Sequence, residues 1–152
     1  MSTYGLLREI ALPFDTVLKK LPVELRRKSF EIISNVRIDN ELHKHIGVEF
    51  KRYAILGVCN FPLSYKALMR EDLFGLVLTC SIIVFEKEEA TVVGVIRPST
   101  FMPLLQNEYL NEGALTIERK LTEMLDALGK RKFLKERKKG PEKPFNCEKA
   151  VV

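Results

Sequence analysis

The sequence has few of the residues on which the commonest enzyme chemistries depend. Its 152 residues include no Trp, two His and three Cys. It has no Gly-rich phosphate loop, no His-Glu-x-x-His, no Cys-x-x-Cys and no nucleophile elbow. These absences count against nucleotide, zinc and hydrolase chemistry. No metal or cofactor is therefore expected, and whether the protein is an enzyme is left open.

Long apolar runs and a secretory leader are missing as well. No stretch approaches the about 20 apolar residues of a membrane span, and no basic segment followed by an apolar one opens the chain. Cys59, Cys80 and Cys147 are odd in number and widely spaced, unlike a secreted disulfide framework. The sequence predicts a cytoplasmic protein with free thiols and no membrane association.

Basic residues are concentrated at the C-terminal end. Residues 129–152 carry nine Lys and Arg against three acidic residues, a net charge of +6, whereas residues 1–128 have a net charge of −1. We therefore predict one folded domain over residues 1–128 and a basic, flexible extension over residues 129–152. Such an extension could bind nucleic acid through its charge alone. No aromatic-rich basic face accompanies it, so nucleic acid is not expected as a partner elsewhere.

Strand and helix patterns interleave along the chain. Apolar alternation or continuous apolar runs predict strands over residues 4–10, 30–38, 53–60, 75–85 and 91–96, the last two joined as a hairpin. In residues 30–38 the even positions form the predicted buried face. The pattern indicates an α+β fold, with a mostly antiparallel sheet of about five strands and helices packed on one face.

The helices have recognisable start and stop signals. The first is predicted to begin at Asp15 as N-cap and to kink or split at Pro22. A short helix is predicted to start at Asp39 and to end at Gly47 in a left-handed conformation. Pro62 suits the first turn of the third helix. The last helix carries an apolar stripe and ends at Gly129; the stripe comprises Ala114, Ile117, Leu121, Leu125 and Leu128.

Cys59, Asn60 and Cys80 are the candidate ligand-binding or redox residues. Cys59 ends a predicted strand, and Asn60 can cap the following helix, whose N-terminus can lower the pKa of a nearby thiol. In this interpretation Cys59 is the more exposed, reactive thiol. If the two strands are neighbours, the sulfurs of Cys59 and Cys80 could meet across the sheet. The alternative is that both are buried, inert thiols.

The central segment resembles a known family. The motifs IDNELHKHIGVEF, YAILGVCN and LVLTCSIIVFE, with TVVGVIRPSTFMPLL after them, are similar to those of the bacterial and archaeal family called domain of unknown function 302. The resemblance covers about residues 3–128. It implies an α+β domain of TATA-binding-protein-like topology that often forms homodimers, and this topology does not itself imply DNA binding.

The resemblance also implies that Cys59 and Cys80 are the two motif cysteines of the family. Relatives are sometimes found beside sulfur-carrier or rhodanese-like proteins, which makes these possible partners and sulfur or thiol-redox chemistry a possible function. The alternative is a non-catalytic homodimeric binding or assembly module with structural cysteines. The chain departs from the family pattern at three positions: Phe61 and Thr79 replace prolines, and Arg97 replaces an acidic residue.

Overall fold

The computed structural model describes residues 4–129, in which a five-stranded sheet is the central element. Its strand order is β1-β5-β4-β3-β2, and every neighbouring pair is antiparallel. This confirms the predicted α+β fold. The strands are β1 (Gly5–Ile10), β2 (Glu31–Arg37), β3 (Tyr53–Cys59), β4 (Cys80–Lys87) and β5 (Ala90–Ile96).

The helices of the described residues are unequal in length. The two long ones, α1 and α5, pack against each other and cover one face of the sheet. None of the helices in residues 4–129 is long and apolar enough to cross a lipid bilayer. The helices are α1 (Phe14–Arg27), α2 (Ile38–Ile46), α3 (Phe61–Leu68), α4 (Met102–Leu105) and α5 (Glu108–Leu128).

The core lies between the sheet and the pair α1 and α5. Alternate residues of the central strands meet the apolar stripes of both helices, as the period of two in strands and 3.6 in helices requires. The stripe predicted for the last helix is confirmed, with Leu121 and Leu125 fully buried. The most buried core side chains are Phe14, Val17, Leu21, Leu25, Phe30, Leu56, Val58, Ile82, Val84, Leu121, Met124 and Leu125.

An ion pair between buried Arg8 and exposed Asp126 ties β1 to α5 at the edge of this core. Arg8 is only 5% exposed, and its Nε and Nη2 donate to Asp126 Oδ1 over 3.0 and 2.7 Å. Its Nη1 donates to the Leu7 carbonyl over 2.9 Å. A buried cation needs hydrogen-bond partners in place of water, and these contacts supply them to the Arg8 guanidinium.

The first helix differs from prediction at two positions. It begins at Phe14 after Pro13, so Asp15 lies in the first turn and is not the cap. Asp15 accepts instead from Arg52 Nη1 over 2.8 Å. Pro22 does not split the helix, which is continuous from Phe14 to Arg27, because burial of the apolar face stabilises it by several kcal/mol, more than the about 3 kcal/mol that an interior proline costs.

The second strand and helix also depart from the pattern. The β2 register shifts between Ile32 and Ser34, and β2 is an edge strand, so only the start of the predicted face meets the core: Phe30 is buried and Ile32 packs against the core, whereas Val36 is exposed. Asp39 does not cap α2. It accepts two hydrogen bonds from Arg37, which hold the pKa of the Asp39 carboxyl below its ordinary value. Gly47 ends α2 with φ of 67°, as predicted.

The predicted strand over residues 75–85 begins only at Cys80. The chain before it forms a 3-10 turn, Asp72–Leu76, and Leu76 is exposed rather than in the sheet. The hairpin between β4 and β5 is confirmed, with Lys87 opposite Ala90. Apart from Gly129, the predicted basic extension lies outside the described residues, and so does Cys147.

Candidate functional site: an apolar cavity beside Cys80

The corner between β3 and α3 holds two of the candidate residues. Asn60 is the N-cap of α3, and its Oδ1 accepts a hydrogen bond from the Leu63 backbone N–H over 3.2 Å. Pro62 lies in the first turn, where its missing N–H costs nothing. The predicted cap is therefore confirmed, and the 3% exposure of Asn60 shows that capping is done in a nearly dry site.

Cys59 is sealed at the same corner. It is 1% exposed, and its Sγ lies 3.0 Å from Ser64 Oγ on the first turns of α3, with either atom able to donate. The expectation that Cys59 is the more exposed thiol is wrong, because Cys80 is 7% exposed. The turn that Asn60 caps folds Ser64 back over the strand end and closes it.

Cys80 opens β4 on the face covered by the helices. It lies opposite Val58 in the sheet and belongs to the same core cluster as Ile82 and Val84. Burial raises the pKa of the Cys80 thiol to about 11, with a smaller contribution from nearby Cys59. At neutral pH the thiol is protonated, and it behaves as a small apolar group.

The two thiols do not form a pair. Both are free. Cys80 is opposite Val58, and Cys59 is the next residue along β3, so the alternation of side chains places Cys59 on the other face of the sheet. The expectation that their sulfurs meet across the sheet is therefore wrong in geometry, although the strands are neighbours as that expectation required.

A cavity of about 210 Å³ lies beside Cys80. The first half of α5 and the helix α3 form two of its walls, and the segment that leads into β4 forms a third. The walls are mainly apolar, with Ser64, Thr79, Thr116 and Cys80 among their residues. The chief apolar wall residues are Leu63, Ala67, Phe74, Leu110, Ala114 and Ile117.

Charged side chains lie only at the mouth of this cavity. Lys66 on α3 and Glu112 on α5 contribute to its lining, and both are exposed to solvent. Their charges are of opposite sign, so the mouth has no strong preference for an anion or a cation. The cavity thus has the composition of a small-molecule site, with apolar walls and a few polar groups.

Comparison with known families identifies the domain. A family model described as "Domain of unknown function DUF302" matches residues 8–128. The chain belongs to this family. The crystal structure of an uncharacterized conserved protein DUF302 from Bacillus stearothermophilus is similar, with a TM-score of 0.76 and 22% sequence identity. The match covers 84% of this chain and 99% of that one, and at this identity it supports the fold. None of the curated proteins matches the sequence.

The cavity of this DUF302 domain is a feature that the sequence pattern did not indicate. The apolar residues 75–79 have the composition of a strand, but they lie outside the sheet, and Val77, Leu78 and Thr79 line the cavity instead. The feature of the sequence that could have indicated the cavity is the pair of small residues Gly113 and Ala114 on α5. Two small residues on the inner side of a long helix leave space where larger side chains would fill it.

The two histidines of the DUF302 domain have separate partners. His43 Nδ1 lies 2.7 Å from Glu49, and His45 Nε2 lies 3.2 Å from Glu41. Within residues 4–129, no group of three or more His, Cys, Asp or Glu side chains is arranged to hold a metal ion. The histidine pairs are exposed and belong to the surface of α2.

Proposed function

We propose that this DUF302 domain binds a small, compact and mainly apolar ligand in the cavity beside Cys80. The observation that carries the proposal is the cavity itself, about 210 Å³ of space at the edge of the core, with Cys80 of the core cluster in its wall. Unfilled space of this kind forfeits dispersion contacts, and a ligand that fits restores them. The proposal therefore concerns binding and assigns no reaction.

The size and chemistry of the walls limit the ligand. An engineered apolar cavity of about 150 Å³ binds benzene, so the larger space here suits one aromatic ring or a short branched chain. The hydroxyls of Thr79 and Thr116 offer hydrogen bonds to one or two polar atoms, whereas that of Ser64 is engaged with Cys59. The opposite charges of Lys66 and Glu112 at the mouth favour a ligand with little net charge.

Filling the cavity is the direct test. Ala114→Leu adds bulk in the wall, and Ala127→Leu is the matched control because Ala127 is exposed on the same helix. Benzene and indole are titrated while the methyl signals of Leu110 and Ile117 are followed by NMR. We expect saturable shifts in the unaltered protein and in Ala127→Leu, and none in Ala114→Leu. Equal binding by both variants would place the ligand elsewhere and refute the proposal.

The role we propose for the candidate residues follows from this geometry. Cys80 supplies part of the cavity wall, whereas Cys59 and Asn60 fix α3, which forms another part. Because burial raises the pKa of Cys80 to about 11, only about one thiol in ten thousand is ionised at pH 7. This supports ligand contact by Cys80 in preference to nucleophilic sulfur transfer.

The sulfur or thiol-redox alternative has its own test. Cys59→Ser and Cys80→Ser variants are exposed to a persulfide donor, and bound sulfane sulfur is measured by mass spectrometry. Loading of the unaltered protein that is lost in either variant would favour the sulfur alternative over the ligand-binding proposal. A sulfur-carrier or rhodanese-like partner stays a prediction that depends on that result, and nucleic-acid binding by the basic extension stays a separate one.

A second proposed function is assembly as a homodimer through the open sheet face. We use this name for the face that α1 and α5 do not cover. Antiparallel sheets with one solvated face usually present polar side chains there, but here most outward positions are apolar. Ile33 and Val36 are 48% and 42% exposed. The half-buried members are Leu7, Tyr53, Ile55, Ile83 and Phe85.

A charge placed on this face should prevent the assembly. Ile83→Glu puts a carboxylate in the middle of the open sheet face, while Leu104→Glu puts one on an exposed apolar position elsewhere. Light scattering after size-exclusion chromatography measures the mass of each. We expect a dimer for the unaltered protein and Leu104→Glu and a monomer for Ile83→Glu. A monomeric unaltered protein would refute the homodimer.

A further inference from the structure

The segments that line the cavity also carry exposed apolar side chains. We use the name apolar collar for six of those that lie on or beside these segments: Tyr65, Met69, Leu73, Leu76, Leu104 and Tyr109. Tyr109 lines the cavity itself, and Leu76 and Leu104 are 85% and 76% exposed. Exposed apolar side chains on segments that also form a pocket indicate an interaction site.

The segments that carry the collar, residues 61–76 and 98–113, have four acidic and two basic side chains, a net charge of −2. Lys66 and Arg70 are the basic side chains there, and the Arg70 guanidinium lies over the Tyr109 ring at 3.8 Å. The acidic side chains, which outnumber them, are Glu71, Asp72, Glu108 and Glu112. A net negative, apolar surface suits a segment that is basic and carries apolar anchors, and it is a poor match for an anionic lipid surface.

The same chain contains a segment with those properties. Residues 129–152 have a net charge of +6 and include Phe133, Leu134 and Phe145 between basic residues. The extension is therefore complementary to the collar in both charge and apolar content. It also lies beyond residues 8–128, the part of the chain that matches the family.

Chain length decides which anchor can reach the cavity. The extension starts at Gly129, and Ile117, the cavity-wall residue of α5 nearest to it, lies twelve residues earlier, which is about 18 Å along a helix. Phe133 and Leu134 follow Gly129 by four and five residues, at most about 14 and 18 Å of extended chain, so neither reaches beyond the near end of the cavity. Phe145 follows by sixteen residues, about 50 Å, which is enough to return over the surface.

We propose that Phe145 of the same chain occupies the cavity beside Cys80 and competes there with the small ligand. A phenyl ring matches a space of about 210 Å³. The tether keeps the ring at about millimolar effective concentration, so modest intrinsic affinity is sufficient. The competition rests on the proposed ligand-binding function, whereas the docking of Phe145 itself does not.

Paramagnetic relaxation enhancement in the full chain tests the docking. A nitroxide is attached to Cys147, two residues after Phe145, and selective labelling is verified by peptide mass spectrometry because Cys59 and Cys80 are buried. We expect broadening of the amide signals of Phe74 and Leu110, relative to the reduced label. Phe145→Ala should abolish this broadening, and Phe133→Ala, the matched control, should retain it. Absence of broadening, or equal broadening in Phe145→Ala, overturns the proposal.

Two further measurements separate the alternatives. In a mixture of isotopically labelled protein without nitroxide and unlabelled protein with it, broadening at the collar would mean that the extension of a second copy docks, which overturns the same-chain proposal. Indole binding is then compared between variants. We expect Phe145→Ala to bind indole about tenfold more tightly than Phe133→Ala, as removal of a tethered competitor predicts.

These results also distinguish the two proposals. Broadening that depends on Phe145, together with no indole binding even by Phe145→Ala, would support the docking and refute the small-ligand function. Indole binding that is equal in all variants, without broadening, would refute the docking and leave the small-ligand function supported.

Discussion

The buried Cys80 thiol should make the domain less stable in alkali. Burial raises its pKa from 9.0 to about 11. Between these values the unfolded chain loses the proton while the folded chain keeps it, so the free energy of unfolding falls as pH rises. The stabilisation is fully present below about pH 9 and is lost progressively up to about pH 11. From pH 8 to pH 10.5 the expected loss is about 2 kcal/mol.

The assay is urea unfolding of the unaltered protein and of Cys80→Ala across this pH range. Other groups titrate as well, including Tyr53, whose pKa is also raised by burial, but they contribute equally to both proteins. The unaltered protein should therefore lose about 2 kcal/mol more than Cys80→Ala. Ultraviolet absorbance of the thiolate supplies an independent titration. Parallel losses in the two proteins would show that Cys80 ionises in the folded state at its ordinary pKa, and the reasoning on its burial would fail.

Three further predictions concern stability and are checked by urea or thermal unfolding. Gly113→Ala should stabilise the domain by about 1 kcal/mol, because the site is helical and the added Cβ meets nothing within 4 Å. Gly94→Ala should destabilise it, because the added Cβ would lie 2.6 Å from a side-chain atom of Leu7. Changes of the same sign in the two variants would contradict this reasoning. Asp126→Ala should cost about 1–3 kcal/mol by leaving the Arg8 guanidinium buried without its carboxylate, and a loss below about 0.5 kcal/mol would show that water replaces it. Asn60→Ala should cost about 1 kcal/mol through the lost cap, with Asn60→Ser losing less because its hydroxyl can cap without bringing a charge into this buried site, and an equal loss in both variants would exclude the capping explanation.

Local signals explain which elements the sequence predicted well. Gly47 ends α2 because its φ of 67° is unfavourable for other residues. Asn60 caps α3 because its side chain satisfies a backbone N–H that the helix leaves open. In both cases the deciding interaction joins residues that are close in sequence. The sequence alone is therefore sufficient to predict it.

Tertiary interactions explain the failures. Asp39 is a plausible cap by type, but the Arg37 guanidinium and the Tyr53 backbone N–H compete for its carboxylate. The alternation of apolar residues in β2 predicts that Val36 is buried. It is exposed because β2 lies at the edge of the sheet and its register shifts. Residues 75–79 have the apolar composition of a strand, and only the fold shows that this segment borders a cavity.

The positions at which this chain departs from the family pattern bear on the cavity. Thr79 stands where the resemblance implies a proline, and it adds a hydroxyl to the lining. Arg97 stands where an acidic residue is implied, between two residues that line the cavity, and its Nη1 donates to Glu118 over 3.4 Å. Glu118 also accepts from the Ser99 backbone N–H over 2.9 Å, so the exchanged charge is neutralised locally. Because polarity changes in the wall while the fold is kept, a ligand found for one relative need not be the ligand of this protein, and the cavity must be tested on this chain.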